Sequence, residues 1–370
     1  MNVPWGWIKQ RPHFIAEYLS ENYDLSIFYK ASFMAKKRDL VTKNATHLKL
    51  KSYFLIPFNR IPIVNKFNFF DFINRALIKL QIRQSFSRNV VWISSWSVYF
   101  QIKYCINNDT IVIFDCMDDE LEFPKIKNDK ILYRLAKQNE EELINRSNLV
   151  ICSSDYLKQK LKSRYSIFKK IFVINNATNS FKIEKFSITS SVNEQYSALK
   201  NVFLYVGTIS SWFDFDSVIL MLDKNESANF VLVGPSDVYI PIHPRLHYFG
   251  SVERDSLPFF IDKSIALTMP FLLNELIRSV DPVKIYEYIG SNKPIIAINY
   301  TEMEKFSDFC YLYDDSIGFS DIVSKILRGE ISYNMNSEKS SNFVLENTWE
   351  KRGLQIVGLI NQVIQSGKGE

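Results

Sequence analysis

Short apolar runs recur along the chain and alternate with longer stretches of helical periodicity. Each run has four to six apolar residues without apolar–polar alternation, which is typical of parallel strands buried on both faces. In the first half these predicted strands lie at 90–94, 110–115, 149–153 and 171–174, with helices over about 131–147 and 154–164. The alternation predicts a doubly wound α/β domain.

The same pattern returns in the second half after a polar stretch. Residues 181–200 show no periodicity and are interpreted as an irregular linker. Beyond it, predicted strands lie at 202–207, 230–233, 246–249, 265–269 and 295–298, and an amphipathic helix ends the chain over 347–364. The chain therefore predicts two α/β domains, over 1–180 and 201–346.

Composition agrees with two globular domains and excludes several classes of protein. The chain has 370 residues, of which 46% are hydrophobic, but only 11 glycines and no G-x-G-x-x-G or P-loop motif. Four cysteines without C-x-x-C spacing favour buried thiols in a reducing, cytoplasmic compartment over a disulfide or zinc framework. No apolar run approaches 18 residues, so no transmembrane helix is predicted.

The segment 281–299, DPVKIYEYIGSNKPIIAIN, reads as a short helix followed by a buried strand. Asp281 is the expected cap and Pro282 the expected first helical residue. Lys284 and Glu287 lie three apart and share a helix face. A helix start presents free N–H groups and suits a phosphate, and Glu287 could accept hydrogen bonds from sugar hydroxyls. The alternative is a solvated ion pair without a ligand.

A carboxylate cluster follows the predicted strand 110–115. Asp115, Asp118 and Asp119 lie where a parallel sheet presents ligands, at the carboxyl end of a strand. Crowded carboxylates provide a catalytic base or hold a divalent ion, so a metal-dependent Asp-x-Asp transferase of the GT-A fold has to be weighed. Helix capping by solvated acids is the alternative.

A basic and aromatic segment covers residues 36–88. Within it Arg75, Lys79 and Arg83 recur every four residues, while apolar residues occupy another face of the same predicted helix. Such a helix is typical of contact with an anionic membrane surface. A core helix with a basic polar face and single-stranded nucleic acid binding are the alternatives; no RNA-binding motif is present.

The stretch P-x-K-x-Y-E-Y followed by K-P and an apolar run resembles the donor-site segment of bacterial GT-B glycosyltransferases. The likeness is to the branch containing the teichuronic acid biosynthesis glycosyltransferases, related to the retaining family 4. The resemblance implies two Rossmann-like domains facing each other across a cleft, with the last helix, 347–366, crossing back to the first domain. It also implies transfer from a nucleotide-sugar, with UDP favoured, to a lipid-linked or polysaccharide acceptor.

The resemblance also implies roles for particular residues. The donor residues are Gly207 and Thr208 for the diphosphate, Lys284 with Val283 at the helix start for the phosphates, Glu287 for the ribose, His247 and Tyr248 near the nucleobase, and Arg278 and Ser279 in the preceding loop. The acceptor cleft would contain Gly6, Arg11 and His13, and an aspartate of the 115–119 cluster would be the base. No metal, cofactor or nucleic acid is expected, and the site of action would be the inner face of the cytoplasmic membrane.

The chain departs from the family pattern at two places. Ser279 stands where many family 4 enzymes have a first glutamate, and Ser211 to Phe213 stand where an Arg and a Lys usually hold the phosphates. Two rival functions therefore stay open: a nucleotide-sugar 2-epimerase of the same fold, and a non-catalytic scaffold in a polysaccharide-assembly complex. GT-A is disfavoured because both halves carry strand–helix alternation.

Overall fold

Parallel β-sheets form the cores of two compact units. The computed structural model describes residues 9–31, 49–54, 68–82, 90–167, 169–179, 190–331 and 337–366. Unit 1 comprises residues 1–175 and 349–370, and unit 2 comprises residues 176–348.

Unit 1 contains a four-stranded parallel sheet. Its elements are α1 (Arg11–Asn22), β1 (Ser26–Ala31), β2 (Lys49–Phe54), α2 (Asn68–Ile82), β3 (Val90–Ile93), α3 (Trp96–Ile102), β4 (Ile111–Cys116), α4 (Pro124–Lys127), α5 (Lys130–Arg146), β5 (Leu149–Cys152), α6 (Asp155–Tyr165) and β6 (Ile171–Val173). The sheet runs β3-β4-β5-β6, and β1 pairs with β2 in a separate two-stranded sheet. Val112 and Val150 are fully buried, as expected for strands covered on both faces.

Unit 2 contains a six-stranded parallel sheet. Its elements are α7 (Ser190–Ser197), β7 (Val202–Val206), α8 (Phe215–Lys224), β8 (Asn229–Val233), β9 (Leu246–Tyr248), α9 (Leu257–Lys263), β10 (Ala266–Met269), α10 (Glu275–Ser279), α11 (Val283–Ile289), β11 (Ile295–Ile298), α12 (Thr301–Glu304), β12 (Tyr311–Tyr313), α13 (Ser316–Leu327) and α14 (Ser337–Glu346).

The strand order of unit 2, β12-β11-β10-β7-β8-β9, is that of a doubly wound fold. The chain starts in the middle at β7, winds out through β8 and β9, and returns to build β10, β11 and β12 on the other side. The order therefore reverses between β7 and β10. Ligands of open parallel sheets bind at this switch point, outside the carboxyl ends of the strands.

Two features of unit 2 differ from the sequence prediction. Strand β12 was not predicted, because its three residues give too short an apolar run. The stretch 181–200 was expected to be irregular, but α7 forms within it. Tyr196 of α7 is 1% exposed, packs against Phe259 and Phe260, and donates a hydrogen bond to the Phe260 carbonyl at 2.6 Å. Tertiary burial of one aromatic side chain thus outweighs the polar composition of the segment.

The last helix, α15 (Trp349–Ser366), belongs to unit 1. The Trp349 ring stacks on Phe14 of α1 with 5.0 Å between the ring centroids. Gly353 faces Tyr18 so closely that a Cβ atom would lie 2.1 Å from a ring carbon. The two helices can therefore approach only because position 353 carries no side chain.

Candidate functional site

Glu287 of α11 is held between two cations. The residue is 3% exposed. Its Oε2 accepts a hydrogen bond from Lys284 Nζ at 2.7 Å, and its Oε1 accepts one from Arg254 Nη2 at 2.6 Å. The side chains of Lys284 and Arg254 keep 26% and 35% of their surface exposed. The carboxylate is therefore inside the unit, and its cations lie at the surface.

This environment fixes the charge of Glu287. Burial alone would raise its pKa, but the positive charges of Lys284 and Arg254 outweigh that effect and lower the pKa below the ordinary value. The ionised carboxylate is an acceptor of hydrogen bonds only. Hydroxyl donors of a ligand could bind it while phosphate oxygens bind the two cations, so the cluster can exchange partners with a ligand.

Arg254 is the member of this cluster that sequence reasoning missed. It lies in a single 3-10 turn, Arg254–Ser256, after β9 and far from α11 in sequence. A contact between two loops of a folded sheet leaves no periodic pattern in the chain. Only the absence of cations after Gly207 could have prompted a search for an arginine elsewhere.

The start of α11 differs from the prediction by one residue and in its cap. Pro282 is the cap and Val283 the first helical residue, and no side chain caps the helix. Asp281 instead accepts hydrogen bonds from the Asn176 backbone N–H at 2.5 Å and the Tyr286 hydroxyl at 3.0 Å. The Asp281 carboxylate is therefore engaged by these donors and does not cap the helix.

The carboxyl end of β7 lies against α11. The Val206 backbone N–H donates to the Tyr288 hydroxyl at 2.8 Å, which brings Gly207 close to the helix that carries Glu287. A Cβ on Gly234, after β8, would lie 2.0 Å from the Gly207 carbonyl oxygen, and Gly234 has φ +143°. Thr208 is exposed. Gly234 thus lets the backbones after β7 and β8 pass close to each other at the switch point.

The loops after β7 and β10 are joined at the same edge. The Asp214 N–H donates to the Pro270 carbonyl at 3.0 Å, and the Leu272 N–H donates to the Trp212 carbonyl at 2.8 Å. Ser211 to Phe213 stand where the family pattern has an Arg and a Lys. They therefore belong to a loop that is hydrogen-bonded to the loop after β10. Two strand ends that flank the switch point are fixed relative to each other.

Helix α10 carries the two predicted loop residues. Ser279 is fully buried, and its hydroxyl donates to the Leu276 carbonyl at 2.7 Å. Arg278 lies 4.0 Å from Glu275, with 43% of its side chain exposed. Ser279 therefore closes the last turn of its helix, whereas Arg278 is available at the surface.

His247 and Tyr248 of β9 lie in different environments. His247 Nε2 is 2.9 Å from Asn229 Oδ1, at the start of β8 and thus at the end of that strand opposite Gly234. Burial and the neighbouring His243 lower the pKa of His247, which favours the neutral ring. Tyr248 is the last residue of β9 and 45% exposed. Only Tyr248 lies at the carboxyl end of its strand.

In unit 1, Asp115 forms a buried ion pair with Arg11. Arg11 Nε donates to both carboxylate oxygens of Asp115 at 3.1 Å, and Nη2 donates to Oδ1 at 2.9 Å. Arg11 Nη1 also donates to the Ile174 carbonyl at 2.7 Å. The two side chains are 3% and 0% exposed. The pair joins α1, β4 and the end of β6, which is a structural arrangement.

Asp119 also forms ion pairs with cations of the same unit. Its Oδ2 lies 2.5 Å from Arg164 Nη2 and 3.0 Å from Lys160 Nζ, both on α6, and the carboxylate is fully buried. Arg164 Nη1 in turn lies 3.0 Å from Glu140 of α5. This network connects the loop after β4 to the helices behind it.

Asp118 differs from its two neighbours because its side chain makes no ion pair with a cation among the described residues and is only half-buried. Burial raises its pKa to about 6, the Arg11 charge opposes the rise, and the charges of Asp119 and Asp115 add to it. A carboxylate with a pKa near neutrality is suited to accept a proton.

Of the remaining residues predicted to be functional in unit 1, the structure describes some and not others. His13 is buried in α1, and its Nδ1 accepts a hydrogen bond from the Gln10 N–H at 3.1 Å. Helix α2 includes positions 75 and 79, and Lys79 is exposed. Gly6 and Arg83 lie outside the described residues.

No helix among the described residues is long and apolar enough to cross a membrane. The same residues contain no group of three or more His, Cys, Asp or Glu side chains placed to hold a metal ion.

Comparison with known proteins finds a curated relative and solved structures with a similar fold. No family model matches the chain. Over 209 residues it is 22% identical to the "Putative teichuronic acid biosynthesis glycosyltransferase TuaH" of Bacillus subtilis (strain 168), covering 52% of each chain. The chain thus spans about half the length of this curated relative.

Solved structures match nearly the whole chain. Sucrose-phosphate synthase from Thermosynechococcus elongatus superposes with a TM-score of 0.71 at 15% identity, covering 96% of this chain and 93% of that one. The Anabaena protein HepE in complex with UDP superposes with a TM-score of 0.63 at 12% identity, covering 96% and 97%. At such identities the likeness shows the fold, and the chain is a GT-B protein built from two Rossmann-like units, as the sequence resemblance implied.

Proposed function

We propose that the protein is a glycosyltransferase that moves a sugar from a nucleotide-sugar to a lipid-linked or cell-surface polysaccharide acceptor. The observation that carries the proposal is the Glu287 carboxylate, buried between two surface cations beside the carboxyl end of β7. The name of the Bacillus relative and the UDP bound to HepE support a UDP-sugar as donor.

On the donor side, each group of the cluster has a partner in a nucleotide-sugar. Glu287 accepts hydrogen bonds from the ribose hydroxyls, and Lys284 and Arg254 turn toward the phosphate oxygens. The backbone N–H of Thr208 contacts the diphosphate, and Gly207, whose own N–H donates to the Val233 carbonyl at 2.9 Å, lies beside it without a side chain. Arg254 takes the place of the cations missing after Gly207. With two cations to stabilise the leaving diphosphate, the transfer needs no metal ion.

The other predicted donor residues have weaker support. Tyr248 is exposed at the carboxyl end of β9, and Arg278 is exposed on α10, the helix before α11. A nucleotide can therefore reach both side chains. Val283 contributes a free N–H at the start of α11. His247 and Ser279 hydrogen-bond within the unit and would support the site from behind.

On the acceptor side, we assign the proton-accepting role to Asp118. Asp115 is neutralised by the buried Arg11 and Asp119 by Arg164, whereas Asp118 is half-buried with a raised pKa. As the acceptor hydroxyl oxygen bonds to the anomeric carbon, its proton passes to Asp118. The bond from that carbon to the nucleoside diphosphate breaks, and the diphosphate leaves with the electron pair.

The acceptor also determines where the protein would act. A lipid-linked acceptor places it on the inner face of the bacterial cytoplasmic membrane, held peripherally by Arg75, Lys79 and Arg83. The exposed side chain of Lys79 supports this surface. Replacing the three residues by Ser should release the protein from anionic liposomes; binding insensitive to both the change and added salt would contradict the assignment.

The test of the function has two stages. UDP-, GDP- and dTDP-sugars are first compared for thermal stabilisation of the protein, because a ligand that binds only the folded state raises its stability. Glu287→Ala should then abolish transfer from the stabilising donor while the protein stays folded, whereas Glu304→Ala, on the exposed face of α12, should not. Unchanged turnover in Glu287→Ala would refute the donor assignment. Epimerised sugar released without acceptor would identify the epimerase instead.

A further inference from the structure

A basic groove in unit 1 lies outside the donor residues of unit 2. Its volume is about 600 Å³, within the range of about 300–1,000 Å³ common for ligand sites. The lining residues are Glu122, Lys127, Lys130, Tyr133, Arg134 and Lys137. We call it the α4–α5 groove.

The charge of the α4–α5 groove is not balanced within the described residues. Glu122, its one lining acid, is already shared between Lys127 at 2.6 Å and Lys160 at 3.3 Å. Lys130, Arg134 and Lys137, here termed the α5 cations, are exposed and make no ion pair with any described carboxylate. Three positive charges therefore remain for a ligand.

The positions of the α5 cations are unfavourable for the helix itself. They recur at i, i+4 and i+7, so like charges repel along one face. Lys130 also lies in the first turn of α5, where the helix dipole favours acids, while Glu140, Glu141 and Glu142 lie in the second half of the helix. A sequence selected for helix stability alone would reverse this distribution, so the charges indicate a binding role.

The spacing sets the class of ligand. Seven residues of helix span about 10 Å, so the three cations are spread over a length greater than that of one phosphate group. A diphosphate or a longer array of phosphate groups can contact all three side chains. The location also fits a ligand, because α5 follows β4 along the chain and starts on the side of the carboxyl end of that strand.

We propose that the α4–α5 groove binds a ligand carrying two or more phosphate charges, whether free in solution or borne by lipid headgroups. The inference does not depend on the proposed glycosyl transfer, because the donor residues lie in unit 2. The two can therefore fail separately.

The test compares three proteins by titration calorimetry with inorganic tripolyphosphate and by flotation with phosphatidylcholine vesicles containing about one-third phosphatidylglycerol. They are the wild type, Lys130→Gln/Arg134→Gln/Lys137→Gln, and the control Lys200→Gln/Lys224→Gln/Lys325→Gln. The control removes the same charge from exposed positions of unit 2. A donor site in unit 2 is the same in the wild type and in the groove variant, so it does not account for a difference between them.

The groove variant should lose affinity by about tenfold or more and the control by less than about twofold. Loss confined to tripolyphosphate identifies a soluble ligand, and loss confined to vesicles identifies a lipid-borne one. The proposal is overturned if the wild type binds neither probe, or if the groove variant loses no more than the control. All substituted residues are exposed, and thermal unfolding verifies that each variant is folded.

Discussion

The ion pairs Arg11–Asp115 in unit 1 and Arg254–Glu287 in unit 2 both hold a buried carboxylate, but their cations differ. The Arg11 side chain is 3% exposed, whereas that of Arg254 is 35% exposed. A guanidinium that is buried with its carboxylate cannot reach a ligand, so the pair is structural. A guanidinium at the surface can exchange its carboxylate partner for a phosphate. The exposure of the cation, more than that of the acid, separates the two kinds of cluster.

Asp118→Asn tests whether the aspartate of the 115–119 cluster that pairs with no described cation performs the chemistry. Transfer should fall by about 10²- to 10⁴-fold, the range for loss of a general base. In the wild type the rate should fall as the pH drops through about 6, where Asp118 becomes protonated, and this limb should be absent from the residual activity of the variant. The measurement is the pH–rate profile.

The control for that prediction is Asp109→Asn, an exposed aspartate of the same unit. Its profile should match the wild type. If Asp118→Asn retains both the rate and the acidic limb, Asp118 is not the base and the contrast with Asp115 and Asp119 has no catalytic meaning.

Removing each arginine separately sharpens the comparison in terms of stability. Arg11→Met leaves the Asp115 charge buried without its partner and should cost about 3–5 kcal/mol in apparent free energy of unfolding. Arg254→Met should cost about 1 kcal/mol, because Lys284 still neutralises Glu287. Urea titration of both variants provides the measurement. Equal losses would remove the distinction between a structural and an exchangeable pair.

The two units should also respond oppositely to pH. Burial raises the pKa of Glu120 from 4.5 to about 8, so its stabilising contribution is full below pH 4.5 and is lost as the pH rises through 8. The pKa of Glu287 is lowered, so its contribution is present above 4.5 and lost as the pH falls through the folded value.

Melting temperatures of Glu120→Gln and Glu287→Gln between about pH 3 and 9 test this contrast. Relative to the wild type, Glu120→Gln should gain stability progressively above pH 4.5. Below pH 4.5, Glu287→Gln should lose stability relative to the wild type as the pH rises, and above 4.5 the difference should stay constant. Parallel curves for the two variants would contradict the assignment of opposite environments.

The smallest expected effect concerns α5. Substituting Lys130 and Arg134 by Gln should stabilise the protein by about 0.3–1 kcal/mol at low salt, because it removes like charges from the start of a helix. The gain should shrink as salt is added. Destabilisation by the substitution would show that these cations have structural partners after all.

The sequence predicted much of the fold because buried parallel strands leave a local signal. The runs at 110–115 and 149–153 became β4 and β5 with almost the same bounds. Helix α7 was missed, since its stability comes from Tyr196 packing against phenylalanines distant in the chain.

The candidate site was predicted in part for the same physical reason. Lys284 and Glu287 share a turn of helix, so their spacing revealed the pair. Arg254 joins them only through the folded sheet. The three aspartates of the 115–119 cluster look equivalent in sequence, and only their contacts with Arg11 and Arg164 separate Asp118 from the others.

Titration calorimetry of UDP tests the central claim most directly, that Glu287 and its two surface cations form a nucleotide site. The wild type should bind UDP, and Arg254→Met and Lys284→Met should each weaken binding by about tenfold or more, since each removes a charged contact to phosphate. Lys339→Met, which breaks the exposed ion pair with Asp308, should bind as the wild type does. The claim is contradicted if the wild type binds no UDP, or if the two site variants bind it as tightly as Lys339→Met.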